Sequence, residues 1–439
     1  MKNYFFSIYR RPSFHIPVID GVRAVSVLLV LVGHLFHFHS SLFTLREETD
    51  FLSTFFGFFR ADLAVDMFFV ISGFLIGTIL FKEYKKTSKI SYKTFFLKRF
   101  FRLMPVYYFS LFLTWLRYNI ASSDGGNLEI SLMMNNYWYN VFYINNFLEV
   151  NLQFMGWCWS LAVEEQFYFV IPFFIVFLLR KIKSKTSVFI FLLILSSVIR
   201  FFVVYQNNLV GDNFWGGGLD ENLDYWRKTF SLLYDNLYTR FGSLFVGVFA
   251  SFLTIYKKEQ TLSFFKENRF VKKGFYVSVL VFVIVFLKVD YLYFSEFTSH
   301  GLKISYPFLS EIEKIYFSFI VSVSRNLFSL SVMCLILYCL YNPDGIKSRL
   351  NRFLSSRFLF PVAQLSYSAY LIHPLVMLPV FRYSTPFLFE SFTNVYVVFF
   401  INSLFSIIII YLFSILLYLF IEKPFMEMRK SSLFKKVRG

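Results

Sequence analysis

Long apolar runs separated by short polar segments dominate the chain. Ten of these runs are long enough to cross a bilayer: roughly 18–38, 62–81, 103–120, 159–179, 187–205, 236–256, 274–289, 317–341, 359–380 and 395–421. In hydrocarbon the backbone must satisfy its own polar groups, so runs of this length read as helices. The pattern predicts an all-α polytopic membrane protein with about ten transmembrane helices. The longest connections, near 121–158, 206–235 and 290–316, are too short for a separate soluble unit. The expectation is one membrane domain over 1–439 with a basic tail at 428–439. No internal repeat relates the two halves, which counts against many transporter folds.

Composition agrees with that pattern. Of 439 residues, 57% are hydrophobic and only 16% charged, where a soluble domain carries about a quarter charged. The mean hydropathy is +0.57. Disordered, fibrous, disulfide-scaffold and soluble-enzyme classes are excluded at this step. Cys158, Cys334 and Cys339 sit in apolar surroundings and imply no disulfide framework or zinc cluster.

The net charge of +17 changes meaning once it is placed on the runs. With the N-terminus inside, 31 of the 44 Lys and Arg fall in cytoplasmic segments, which hold only 6 acids. That asymmetry obeys the positive-inside rule and puts both termini in the cytoplasm. The basic excess therefore reports topology and not nucleic-acid binding. The first 15 residues are polar and basic, and the first run is too long for a signal-peptide core, so it reads as an uncleaved anchor. No Asn-x-Ser/Thr acceptor is present.

Ionisable residues within spans are expensive and default to functional hypotheses. The first span opens Asp20-Gly-Val-Arg23 and later reaches Gly33-His34. Eleven positions separate Arg23 from His34, which returns to within about 20° of the same helix face at about 16 Å along the axis. One stripe therefore carries a permanent cation near one interface and an imidazole well across the membrane. The alternative is an arginine snorkelling to the interface and a histidine bonded between helices. The second span begins with Asp62 and Asp66 and continues to Ser72, Gly73 and Gly77. Asp66 has three readings: pairing with a basic group, accepting from His34, or capping the helix. The small residues suit close helix approach.

A dense basic segment follows, ending Lys98-Arg99-Phe-Phe-Arg102-Leu-Met-Pro105. Arg99 and Arg102 lie three apart on one helix side, able to grip two phosphates together or to contact lipid headgroups. The fourth span carries Trp159-Ser160-Leu-Ala-Val-Glu164-Glu165-Gln166-Phe167-Tyr168. Two adjacent acids there point about 100° apart and serve different neighbours: one to orient a histidine or take a proton, the other to hold a cation. The ninth span places Tyr370 and His373 on one face. His37, His39 and His300 fall at or beyond the outer interface, and the glycine run at 216–218 reads as flexible backbone. No metal-ligand spacing or Gly-rich phosphate loop is present.

Arginines at an inner mouth and a base beyond the middle suit a donor rich in phosphate on one side and an acceptor on the other. Coenzyme A has this shape, since its pantetheine arm extends roughly 15–18 Å, as far as four to five extended residues. The thioester would arrive near His34, which would take a proton from an attacking hydroxyl. A proton-coupled transporter or flippase of a glycolipid uses the same residue types. A non-catalytic CoA-binding or scaffold protein is the third possibility.

Six segments in order resemble acyltransferase family 3, over about 16–427: Asp20-Gly-Val-Arg23 to His34, Asp66 to Ser72-Gly73, Lys98-Arg99-Phe-Phe-Arg102, Trp159 to Glu164-Glu165-Gln166, Ser366 to His373-Pro374, and Ile421-Glu422-Lys-Pro424. The resemblance implies a bacterial inner-membrane enzyme, moving acetyl or other acyl groups from cytoplasmic acyl-CoA to a hydroxyl of an extracytoplasmic glycan or lipid-linked sugar. Acyl-CoA would be a co-substrate, with no bound cofactor, metal or nucleic acid. The resemblance makes His34 essential and puts Glu164 and Glu165 on the family's acidic pair; our reading is that one of the two orients His34 or shuttles its proton. Arg23, Arg99 and Arg102 would hold the donor with Ser72, and Asp20, Asp66, Tyr370 and His373 would support them. Some members append an esterase-like domain. The sequence in hand ends at Gly439 without one, which favours direct delivery to the acceptor.

Overall fold

The computed structural model describes residues 2–13, 15–43, 62–123, 128–209, 223–267, 277–284, 311–341 and 348–428. Nine helices of twenty residues or more organise them: α1 (Pro17–Phe43), α2 (Leu63–Thr87), α3 (Tyr92–Ser123), α4 (Trp159–Lys181), α5 (Lys185–Asn207), α6 (Leu237–Tyr256), α7 (Glu311–Tyr341), α8 (Leu359–Ser391) and α9 (Val395–Leu417). Short helices connect them, and no strand occurs among the described residues. The all-α expectation holds. Seven helices are long and apolar enough to cross a membrane: all except α3 and α8. Those two are the longest, at 32 and 33 residues, about 48–50 Å each at 1.5 Å per residue. Polar groups dilute their apolar character. α3 begins with Lys93, Lys98, Arg99 and Arg102, and α8 carries Gln364, Ser366, Ser368, His373 and three prolines. Half of the predicted span 274–289 falls outside the described residues, and the tail beyond 428, His300 and residues 216–218 lie outside them altogether.

The surface is inverted relative to a water-soluble protein. Phe169, Phe173 and Phe177 on α4, Phe191 and Ile194 on α5, and Phe400, Phe405 and Leu412 on α9 stand exposed, while Asp66, Arg200 and Arg240 are buried. Apolar side chains gain nothing by leaving hydrocarbon, whereas an isolated charge there costs several kcal/mol. Charge is therefore paired inside and phenylalanine faces outward.

Two packed groups share α1 and α2 at their junction. α2, α5, α6 and α7 form one, and α1, α8 and α9 the other, with α3 against α8 and α4 against α2. The α2–α6 contact is the tightest. A Cβ on Gly73 would collide with the Leu244 carbonyl, and one on Gly247 with the Val70 carbonyl. Reciprocal glycines allow backbone-to-backbone approach, which is what the small residues after Asp66 suggested. Ser88 and Asn208, at φ 54° and 53°, close α2 and α5 with left-handed caps.

Candidate functional site

His34 occupies the third turn of α1 beyond Arg23. Its Nδ1 lies 2.9 Å from the Val30 carbonyl. A carbonyl only accepts, so Nδ1 carries the proton and Nε2 presents a lone pair. Across from it, α8 supplies His373, with ring centroids 4.7 Å apart and planes at 63°. Nδ1 of His373 donates to the Tyr370 carbonyl at 2.6 Å. Tyr370 in turn donates its hydroxyl to the Trp157 carbonyl at 2.5 Å and accepts from Ser160 at 2.7 Å. Trp157 Nε1 donates to the Leu371 carbonyl at 3.1 Å. These bonds latch α8 onto the start of α4, so the histidine from α8 is held at a defined height beside α1.

Both glutamates lie away from that histidine pair's hydrogen bonds. Glu164 accepts from Ser72 at 2.7 Å and from Tyr168 at 3.0 Å. Ser72 therefore serves Glu164, and a backbone carbonyl rather than a carboxylate orients His34. Glu165, half-buried, lies within electrostatic range of Arg99. The guanidinium of Arg99 lies 5.2 Å from the ring centre of Tyr168, a cation–π contact at the edge of the acidic pair.

The three arginines read from the sequence converge at this end. Arg23 is within electrostatic range of Arg102, Asp20, Tyr168 and Glu164. Arg99 feels Glu164, Glu165 and Arg102. Arg99, Arg102, Lys98 and Thr94 line an open pocket between α3 and α2, with Glu83 and Ile79 opposite. Glu422, buried just past α9, accepts from Ser368 at 3.0 Å and lies within range of Arg102 and Arg23. Its role was not read from the sequence. The signal was present in Ile421-Glu422-Lys-Pro424, a carboxylate at the foot of an apolar run.

Asp20, within range of Arg23, and Asp66, farther off, both act as anchors. Asp20 pairs with Arg11 at 3.2 Å and with His15 at 3.2 Å, while Arg11 donates to the carbonyls of Ser355 and Ser356. This ties the entry of α1 to the entry of α8. Of the three readings for Asp66, pairing with a basic group is the one observed. It accepts from Arg240 at 3.1 Å, Arg325 at 2.6 Å and Ser243 at 2.8 Å, and Arg325 also pairs with Asp62. Arg240 is held between the rings of Trp159 (4.9 Å) and Tyr234 (4.7 Å). His37 lies beside Trp226, with ring centroids 6.3 Å apart; the side chain of His39 is outside the described set. No group of three or more metal-ligating side chains forms among the described residues.

The arrangement offers two chemistries. A cluster of three arginines beside an open pocket suits an anionic phosphate donor. An imidazole with a free Nε2, on the same helix as one of those arginines, suits proton abstraction from a hydroxyl.

The family described as "Acyltransferase domain" matches residues 16–421. A Staphylococcus aureus (strain COL) protein provisionally named an O-acetyltransferase is 33% identical over 193 residues, covering 42% of this chain and 29% of its own length. The O-acetyltransferase OatA of S. aureus (strain NCTC 8325) is 32% identical over 208 residues, 45% of this chain and 31% of that protein. The chain thus aligns with under a third of the length of these relatives. No solved structure matches.

Proposed function

Because the chain belongs to the acyltransferase-domain family, we propose that it is a membrane O-acyltransferase. It takes an acyl group, acetyl in our reading, from cytoplasmic acyl-CoA and delivers it to a hydroxyl of an extracytoplasmic glycan or lipid-linked saccharide. The acetyl reading draws on the O-acetyltransferase names of its relatives. The reading includes ten spans, both termini in the cytoplasm, and residence in a bacterial cytoplasmic membrane. One observation carries it: Arg23 and His34 share a helix at eleven residues' separation, with Arg99 and Arg102 gathered at the Arg23 end. That separation, about 16 Å of helix, approximates the reach of a pantetheine arm.

In this mechanism the CoA phosphates rest on Arg99 and Arg102, with Arg23 behind them. Glu164, tied to Ser72 and Tyr168, balances the positive charge so that the cluster is stable when empty. The acceptor hydroxyl attacks the thioester carbon while His34 Nε2 takes its proton. The C–S bond breaks, an ester C–O bond forms, and the proton passes from His34 to the CoA thiolate. We favour one step over an acyl-enzyme, because among the described residues neither His34 nor His373 hydrogen-bonds a serine or cysteine that it could activate.

The test is transfer of radiolabelled acetyl from acetyl-CoA to envelope glycan in membrane vesicles, wild type against His34→Ala at matched protein level. Wild type labels glycan, and the variant falls by about 10²-fold or more, the usual size of a general-base contribution. Equal labelling removes His34 as the base. No labelling by wild type, with acetyl-CoA bound, points to a different acceptor; no binding of acetyl-CoA points to transport.

A further inference from the structure

His373 is fully buried, and its Nε2 has no hydrogen-bond partner among the described residues. A buried polar atom left unsatisfied costs about 1–3 kcal/mol, so an unpaired ring nitrogen in a packed core asks for a purpose. The local sequence explains how it is kept unpaired. In an α-helix the Tyr370 carbonyl would accept the N–H of residue 374, but that residue is Pro374 and has no N–H. The carbonyl freed by the proline is the one that His373 Nδ1 occupies at 2.6 Å. The proline thus holds the proton on Nδ1 and the lone pair on Nε2. The neighbouring ring, 4.7 Å away, is His34, whose own Nδ1 is tied to the Val30 carbonyl. At rest the two rings hold matching tautomers, each with an unprotonated Nε2, and neither neutral Nε2 donates to the other.

We propose that His373 is a positioning residue for acyl transfer. It holds an uncharged, electron-rich imidazole against His34 and stabilises the imidazolium formed there when His34 takes the acceptor's proton. The inference rests on the reading of His34 as the base. No proton is stored on His373 in the net reaction: the acceptor's proton goes to His34 and then to the departing thiolate. Tyr370 contributes through its backbone, and its hydroxyl fixes the height of the pair by bonding Trp157 and Ser160. Pro374 is part of the device because it clears the carbonyl.

The experiment compares wild type, His373→Leu, His373→Gln and Pro374→Ala in the vesicle assay, with ¹⁵N-histidine NMR of the same proteins in detergent. His373→Leu is expected to lower kcat about 10- to 100-fold with KM for acetyl-CoA within about twofold, the split expected of an interaction made only as charge develops. His373→Gln, which restores an accepting oxygen, recovers about fivefold or more of that loss. Pro374→Ala returns an N–H to the Tyr370 carbonyl. It shifts the His373 resonances toward a mixed tautomer and lowers kcat several-fold in a helix that alanine suits better than proline. The NMR signature needs no substrate. If wild type neither binds acetyl-CoA nor transfers acetyl, the acyltransfer reading fails and the role of His373 falls with it, whatever its tautomer. If wild type transfers acetyl and His373→Leu matches it, or if leucine and glutamine variants fall equally while folded, the proposal is overturned. A His373 that carries its proton on Nε2 in wild type overturns it as well.

Discussion

Arg99 shows how one residue type is suited to two tasks here. Its guanidinium lies 5.2 Å from the ring centre of Tyr168 while neighbouring an open pocket and two glutamates. A planar, delocalised cation stacks and still presents donors, whereas a lysine ammonium is a strongly hydrated point charge. Arg102 has the matching relation to Glu422, which Ser368 steadies. Replacing either arginine by lysine conserves charge but loses the fork. Arg99→Lys and Arg102→Lys are each expected to raise KM for acetyl-CoA about tenfold, near 1.4 kcal/mol, with kcat changed less than threefold. Steady-state kinetics with varied acetyl-CoA measures this, and an unchanged KM would place the donor phosphates elsewhere.

At the scale of elements, α2 is the hinge of the packing. Its Asp66 is the shared acceptor for arginines from α6 and α7, and its Gly73 meets α6 backbone to backbone. Both features act on the same helix trio. The glycines permit contact close enough for the carboxylate to reach two guanidiniums, and the pairing lets two arginines exist in an apolar interior. Removing one member leaves uncompensated charge. Asp66→Asn is expected to destabilise the protein by about 3–5 kcal/mol, read as a large fall in the thermal midpoint in detergent. Replacing Asp62, Asp66, Arg240 and Arg325 together by leucine recovers most of it. A full midpoint in Asp66→Asn would mean that the network carries little of the stability. Trp159, pressed on Arg240, begins the helix that holds Ser160 and Glu164, so this network braces the element that carries the acidic pair.

The whole molecule is polarised along α1. One end gathers Arg23, Arg99 and Arg102, and α1 carries His34 away from it toward the polar segment at 136–158. In the orientation we propose from the positive-inside asymmetry, that axis has the arginines in the cytoplasm. Cysteines introduced at Lys89 and Tyr137, both exposed, flank α3 and test the orientation. In intact cells a membrane-impermeant maleimide should label Tyr137→Cys and spare Lys89→Cys until the membrane is opened. The native Cys158 and Cys339 are buried, and Cys334, which is partly exposed, is replaced by serine in the background protein. Labelling in the reverse order would invert the axis and place the donor pocket outside.

Much of this was determined by the sequence alone, because its causes are local. Apolar run length dictates helices in hydrocarbon, basic residues flanking the runs predict orientation, and a period of 3.6 sets Arg23 and His34 on one stripe. Arg99 and Arg102 were legible for the same reason, being three apart on one helix. Tertiary structure decided which distant residues meet. Nothing in one dimension distinguishes an Asp66 that caps a helix from one paired to Arg240 and Arg325, since those partners lie 174 and 259 positions away. Nor does spacing along the chain show that His34 would face His373 while the glutamates turn to Ser72, Tyr168 and Arg99. Glu422 joins the arginines only because α9 returns its end to α3. Buried charge must find a partner wherever the fold supplies one, and that choice is made by packing between helices, not by spacing within them.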